Sequence, residues 1–80
     1  MKLIELNPKY GEKNGVRTHI IFDCPKCHEH RISIPFEGEK KWDKTGIDFE
    51  STTLSPSIAH DNGIGCQSHF FIRSGEVEMV

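Results

Sequence analysis

Two short clusters of cysteine and histidine constrain this chain more than any other feature. Residues 24–30 read CPKCHEH and residues 66–69 read CQSH, which gives one CxxC and one CxxH in a chain of 80 residues. Such spaced pairs are typical of zinc ligands, and soft thiolate ligands disfavour magnesium and calcium. The sequence therefore predicts one Zn2+ ion, bound by Cys24, Cys27, Cys66 and His69.

The identity of the fourth ligand is left open. His30 follows Cys27 by three residues, so it lies within reach of a metal held by the CxxC pair, and it is the substitute for His69. The three cysteines cannot all pair in disulfides, and neither a recognisable secretory signal nor a long apolar run is seen in the sequence. We therefore expect a cytoplasmic protein whose thiols bind metal and which has no membrane partner.

The composition favours a structural role for the zinc. Apolar residues make up 35% of the chain and charged residues 28%, so the core of so small a domain is thin and a metal would stabilise it. Four protein ligands close the coordination sphere, whereas a catalytic zinc keeps one position open. We predict no catalytic residues; the alternative is a zinc-dependent hydrolase that uses Asp61, His60 or Glu29 as its base.

The regular patterns along the chain are short and typical of strands. Residues 3–6 alternate between apolar and polar, residues 16–22 are rich in β-branched residues, and Ile32, Ile34 and Phe36 share one face. Turns are indicated at Asn14-Gly15, at residues 60–63 and at Ser74-Gly75. The stretch of residues 37–51 reads as a loop. The sequence predicts a single domain over residues 1–80, a small β-rich zinc ribbon whose antiparallel hairpins carry two zinc knuckles, with little or no helix.

The order of these motifs resembles that of a family of small phage and prophage proteins. The resemblance spans residues 22–80 and is carried by FDCPKC, a tryptophan, TLSPSI and the segment that leads into HFFIRSGEVE. It places Cys24, Cys27, Cys66 and His69 on metal-type positions, and His30, Trp42, Ser55, Pro56 and Ser57 on the other landmarks. It implies a phage-encoded protein that acts in a bacterial cytoplasm, and it carries no established activity.

For function, the favoured hypothesis is a protein-interaction module directed at a host factor. Aromatic residues dominate binding hot spots, so the predicted partner-binding residues are Trp42 and Phe49 with Lys41 and Lys44. The alternative is a nucleic-acid-binding ribbon that uses these lysines, Lys40 and Arg73 around Trp42. A formal net charge of −2 disfavours that alternative. Exposed sheet edges leave a symmetric homodimer open.

Overall fold

A computed structural model of the protein describes residues 1–61 and 66–80. Within these residues the chain forms one short 3-10 helix, Leu3–Leu6, and seven β-strands. The strands are β1 (Lys9–Lys13), β2 (Val16–Asp23), β3 (Arg31–Pro35), β4 (Asp43–Thr45), β5 (Thr53–Asp61), β6 (Gln67–Arg73) and β7 (Glu76–Met79). Among the described residues we find no helix that could cross a membrane.

The strands form two antiparallel sheets that share one core. The first sheet has the order β1-β2-β3 and the second the order β4-β5-β6-β7. Phe22 of β2 and Phe70 of β6 are fully buried and meet edge to face, with 6.0 Å between their ring centroids. Such aromatic pairs stabilise a core beyond the area that they bury. The predicted small β-rich fold built from antiparallel hairpins is confirmed.

Two hairpins close through the turn residues that the sequence indicated. Asn14 and Gly15 join β1 to β2 with φ angles of 54° and 79°, and Ser74 and Gly75 join β6 to β7 with φ angles of 48° and 76°. Two successive residues with positive φ make the tight turn whose twist matches that of the flanking strands. The residue pairs at both turns therefore suit the backbone that they adopt.

The prediction of a strand at residues 3–6 is wrong. In a strand Leu3 and Leu6 would point to opposite faces, whereas a 3-10 helix with three residues per turn puts both on one side. Both side chains are fully buried, and the Leu3 N–H donates to the Gly75 carbonyl at 2.8 Å. The burial of both leucines thus favours a 3-10 helix, although the apolar and polar residues alternate over residues 3–6 as they would in a strand.

Two further predictions need correction at the second sheet. The stretch of residues 37–51 is not wholly a loop, because β4 lies within it and pairs with β5. The turn predicted at residues 60–63 begins later than expected, because His60 and Asp61 continue β5. Asn62 and Gly63 lie outside the described residues.

Candidate functional site

The CxxC pair lies at the tip of the β2–β3 hairpin. The Cys24 N–H donates to the His30 carbonyl at 2.8 Å, and the His28 N–H donates to the Cys24 carbonyl at 2.9 Å, so the tip is a closed loop. The Glu29 N–H also approaches the Cys27 sulfur at 3.5 Å. A metal-bound sulfur can accept hydrogen bonds of this kind from the backbone.

Cys66 completes a group of four ligand atoms at this tip. It lies just before β6, and its Sγ is 3.7 Å from the Sγ of the fully buried Cys24. Two sulfurs bound to a tetrahedral zinc at ~2.3 Å each would lie about 3.8 Å apart. The ligand atoms of Cys24, Cys27, His30 and Cys66 all lie within 4.8 Å of one another. These four residues could therefore hold one Zn2+ ion.

The electrostatics of the thiols favour a bound cation. Burial, and then the thiols of Cys27 and Cys24, raise the pKa of Cys66 to about 11. Burial also acts to raise the pKa of Cys24, but hydrogen bonds from the Cys27 and Lys26 backbone and from Ser68 outweigh it and lower that pKa to about 7. A divalent metal held between the sulfurs would offset the repulsion between neighbouring thiolates.

The structure places His30, and not His69, with the three cysteines. On the extended strand β6, side chains alternate between the two faces, so residues three apart point in opposite directions. Ser68 is buried with its Oγ 3.8 Å from Cys24 Sγ, whereas the next residue, His69, points to the other face. The CxxH spacing therefore does not make a second knuckle here. Instead Cys66 joins a first knuckle that already supplies its own histidine.

His69 lies against a serine on the outer face of the second sheet. Its Nε2 is 2.9 Å from the Oγ of Ser57, which belongs to β5. A hydroxyl within hydrogen-bond distance of an imidazole is the arrangement in which a serine nucleophile is activated by a base. Ser57 is half-buried and His69 is exposed, so a substrate can reach both groups.

A bulge in β5 brings Ser57 to this position. Leu54 pairs with Ile72 and Ile58 pairs with Phe70, so β5 advances four residues while β6 advances two. The two extra residues lie in the Ser55-Pro56-Ser57 segment. Bulges interrupt the ladder and redirect a side chain, and they are frequent beside active sites. The TLSPSI motif therefore folds into a strand interrupted at the serine that faces His69.

Asp61 shares the face of this pair. His69 pairs directly with Ala59, so Ser57 and Asp61 are its two diagonal neighbours along β5. Diagonal neighbours on one sheet face lie within reach of each other's side chains. Asp61 and His69 also line one depression of about 300 Å3, where the Gln67 amide donates to Asp61 Oδ2 at 3.2 Å. An acid, an imidazole and a hydroxyl thus follow one another along the outer face.

The pairing of Ser57 with His69 is a functional candidate that the sequence reasoning missed, whereas Asp61 appears there as a possible base of a zinc hydrolase. Ser57 was only a landmark of a resemblance, and His69 was assigned to the metal. A signal is present in the sequence, because the apolar residues Ile58 and Phe70 indicate which face of each strand points inward. Their sequence neighbours Ser57 and His69 must then point outward.

The predicted partner-binding residues are only partly brought together. Trp42, Lys41 and Lys44 line a depression of about 480 Å3. Phe49 instead packs on Tyr10, with 4.7 Å between the stacked rings, and it does not line that depression. The Trp42 indole N–H points to the Ser57 carbonyl at 3.5 Å. Trp42 is half-buried, and its indole contacts the segment that carries Ser57.

Comparison with known proteins identifies the family. A family profile described as "BubE: Bacterial ubiquitination-like system serine protease" matches residues 4–80, which include every residue that carried the resemblance noted above. That description names a bacterial system, and phage origin stays a prediction. No curated protein and no solved structure matches the chain. Because the profile covers nearly the whole sequence, this protein belongs to the BubE family.

Proposed function

We propose that this protein is a serine protease in which Ser57 is the nucleophile and His69 is the general base. The observation that carries the proposal is the 2.9 Å separation between Ser57 Oγ and His69 Nε2 on an accessible sheet face. The family description, which names a serine protease, supports the same chemistry. Neither residue belongs to the group of possible metal ligands, so both side chains are available for the reaction when a metal is bound.

The proposed reaction follows acyl transfer through Ser57. Its Oγ forms a bond to the carbonyl carbon of the substrate while its proton passes to His69 Nε2. The C–N bond then breaks, and His69 gives the proton to the departing amine. A water molecule, deprotonated by the same imidazole, hydrolyses the acyl-enzyme and restores the Ser57 hydroxyl. Asp61 is suited to orient His69 and to stabilise its charged form.

In this proposal the cluster of Cys24, Cys27, His30 and Cys66 holds one structural zinc ion. Three thiols and one imidazole are a donor set typical of closed zinc sites, which leave no position for a water molecule. A bound zinc supplies a cross-link between the β2–β3 tip and the start of β6. The zinc-hydrolase alternative would need an open coordination position, and four close protein ligands argue against one.

The protein partner of the proposed enzyme is its substrate, a protein of the ubiquitination-like system named by the family description. The depression lined by Trp42, Lys41 and Lys44 is a candidate contact surface for that substrate, because Trp42 also contacts the backbone of Ser57. Cytoplasmic location and homodimer formation stay predictions.

A fluorophosphonate probe tests the nucleophile, because it labels only serine hydroxyls that a base activates. We expect intact mass spectrometry to show one added probe per chain and peptide mapping to place it on Ser57. Ser57→Ala should abolish labelling, whereas the matched variant Ser55→Ala, two residues away on the exposed part of the bulge, should retain it. Labelling that survives Ser57→Ala, or no labelling of the wild type, would contradict the proposal.

A further inference from the structure

Two depressions flank the Ser57–His69 pair on the outer face of the second sheet. The first includes His69 in its wall and is also lined by Ala59, His60, Asp61, Gln67 and Ser68. The second has a volume of about 330 Å3 and includes Ser57 in its wall; it is also lined by Thr53, Leu54, Ser55, Pro56, Phe71 and Arg73. A substrate that places its scissile carbonyl at Ser57 therefore has one recess on each side. This inference rests on the proposed serine protease function.

The chemistry of acyl transfer assigns a role to each recess. The imidazole that takes the serine proton later gives it to the leaving amine, so the leaving group lies on the side of His69. The acyl part of the substrate must then extend to the other side of Ser57. The recess beside Ser57 is the one placed to receive the side chain of the residue that donates the scissile carbonyl.

The lining of this recess selects an apolar side chain. Pro56 and Phe71 contribute apolar surface to it, whereas the Leu54 side chain points into the core. Arg73 is the charged residue of the lining, and its guanidinium group lies over the Phe71 ring at 4.1 Å and bonds to Glu78 at 3.0 Å. The positive charge is thus paired with Glu78 and packs on the Phe71 ring.

We propose that this recess, which we name the acyl-side subsite (Pro56, Phe71 and Arg73), binds a leucine-sized aliphatic side chain of the substrate. Phe71 is the central specificity-determining residue. It follows His69 by two positions on the outer face of β6, with 6.4 Å between the two rings. It therefore connects the base directly to the subsite.

N-acetyl amino-acid p-nitrophenyl esters test this subsite, because they vary the acyl side chain while the leaving group stays constant. We expect kcat/KM for the leucine ester to exceed that for the glycine ester at least tenfold. Apolar pockets typically give differences in kcat/KM of about this size between substrates that differ by one or a few methylene groups. Aspartate and lysine esters should resemble glycine. The rate with Ser57→Ala is subtracted as background.

Variants of the subsite then assign the preference to Phe71. Phe71→Ala should reduce the ratio of leucine to glycine hydrolysis about tenfold, whereas Phe71→Leu, which keeps an apolar wall, should keep the ratio within about threefold. Ser33→Ala, on the exposed side of β3 in the other sheet, is the matched control and should leave the ratio unchanged. Circular dichroism and zinc content report whether each variant is folded.

A second variant keeps the test decisive if Phe71→Ala does not fold. Arg73→Glu changes an exposed side chain and places a carboxylate on the rim beside Glu78, so it should raise lysine-ester hydrolysis relative to leucine several-fold. Equal rates for leucine and glycine, a wild-type preference for aspartate or lysine, or a ratio that Phe71→Ala leaves intact would overturn the subsite alone. No hydrolysis above the Ser57→Ala background would overturn the serine protease proposal as well.

Discussion

The Cys/His cluster and the Ser57–His69 pair use the same strand for opposite purposes. On β6, buried Ser68 faces inward beside Cys24, and exposed His69 faces outward beside Ser57. Because a strand alternates its side chains, adjacent residues can support two sites with no shared atoms. In this protein the inward face of β6 contributes to holding the fold together, and the outward face is available for chemistry.

The two regions are joined by side-chain contacts from the hairpin tip to β5 and β6, and they share no ligand atoms. Lys26, at the hairpin tip, donates to the Gln67 carbonyl at 2.8 Å, two residues from His69. The His30 ring also stacks on His60 of β5, with 5.1 Å between the centroids. The cluster thus contacts both strands that carry the pair. Damage to the cluster should therefore abolish both fold and activity, while damage to the pair should abolish activity alone.

The largest expected effect comes from breaking the cluster with Cys24→Ser. A serine hydroxyl does not replace a zinc-bound thiolate, and apparent binding free energies of structural zinc sites are about 10–16 kcal/mol. We expect less than one zinc per chain by native mass spectrometry and a largely unfolded circular dichroism spectrum. Chelation of the wild type should give the same spectrum. A folded, metal-free Cys24→Ser protein would show that the cluster is not structural.

The next effect separates the two histidines. His69→Gln should retain one zinc per chain and native structure but lose about 10²–10⁴-fold in kcat/KM, the usual contribution of a general base. His30→Gln, its matched counterpart, should lose zinc and fold. Metal analysis and ester hydrolysis of both variants show which histidine binds zinc and which acts as the base. The crossed result, with zinc lost in His69→Gln and kept in His30→Gln, would restore the ligand set predicted from the CxxH spacing.

The sequence predicted the parts of the molecule that depend on local residue types. The strands flanking CPKC, the Ser74-Gly75 turn and the cysteines of the cluster follow from spacing and turn chemistry. The Ser57–His69 pair could not be predicted in this way, because it depends on the bulge and on the register between β5 and β6. The bulge shifts that register by two residues, and only the pairing of Ile58 with Phe70 shows where Ser57 meets His69.

A smaller effect is expected when the acid of the outer face is neutralised. Asp61→Asn removes the charge that would stabilise protonated His69, and we expect kcat for the leucine ester to fall about 10- to 100-fold with little change in KM. Glu12→Gln, which removes an exposed carboxylate on β1 of the other sheet, is the matched control and should reduce kcat less than threefold. Equal effects in both variants would show that Asp61 acts only through the net charge.

The smallest expected effect tells whether Trp42 positions the Ser57 segment or binds a protein partner. Trp42→Phe keeps an aromatic ring in place but removes the N–H that points to the Ser57 carbonyl at 3.5 Å. A neutral hydrogen bond contributes a net of about 0.5–1.5 kcal/mol, so kcat for the leucine ester should fall about two- to tenfold. The ester is too small to require the surface formed by Trp42, Lys41 and Lys44, so its KM should not change. Lys41→Ala is the control for that surface, because it leaves the Ser57 backbone contact intact.

If Trp42 served only as an anchor for a protein partner, ester hydrolysis by Trp42→Phe would match that of the wild type. A decrease in kcat confined to Trp42→Phe would show that the indole holds the nucleophile segment in place.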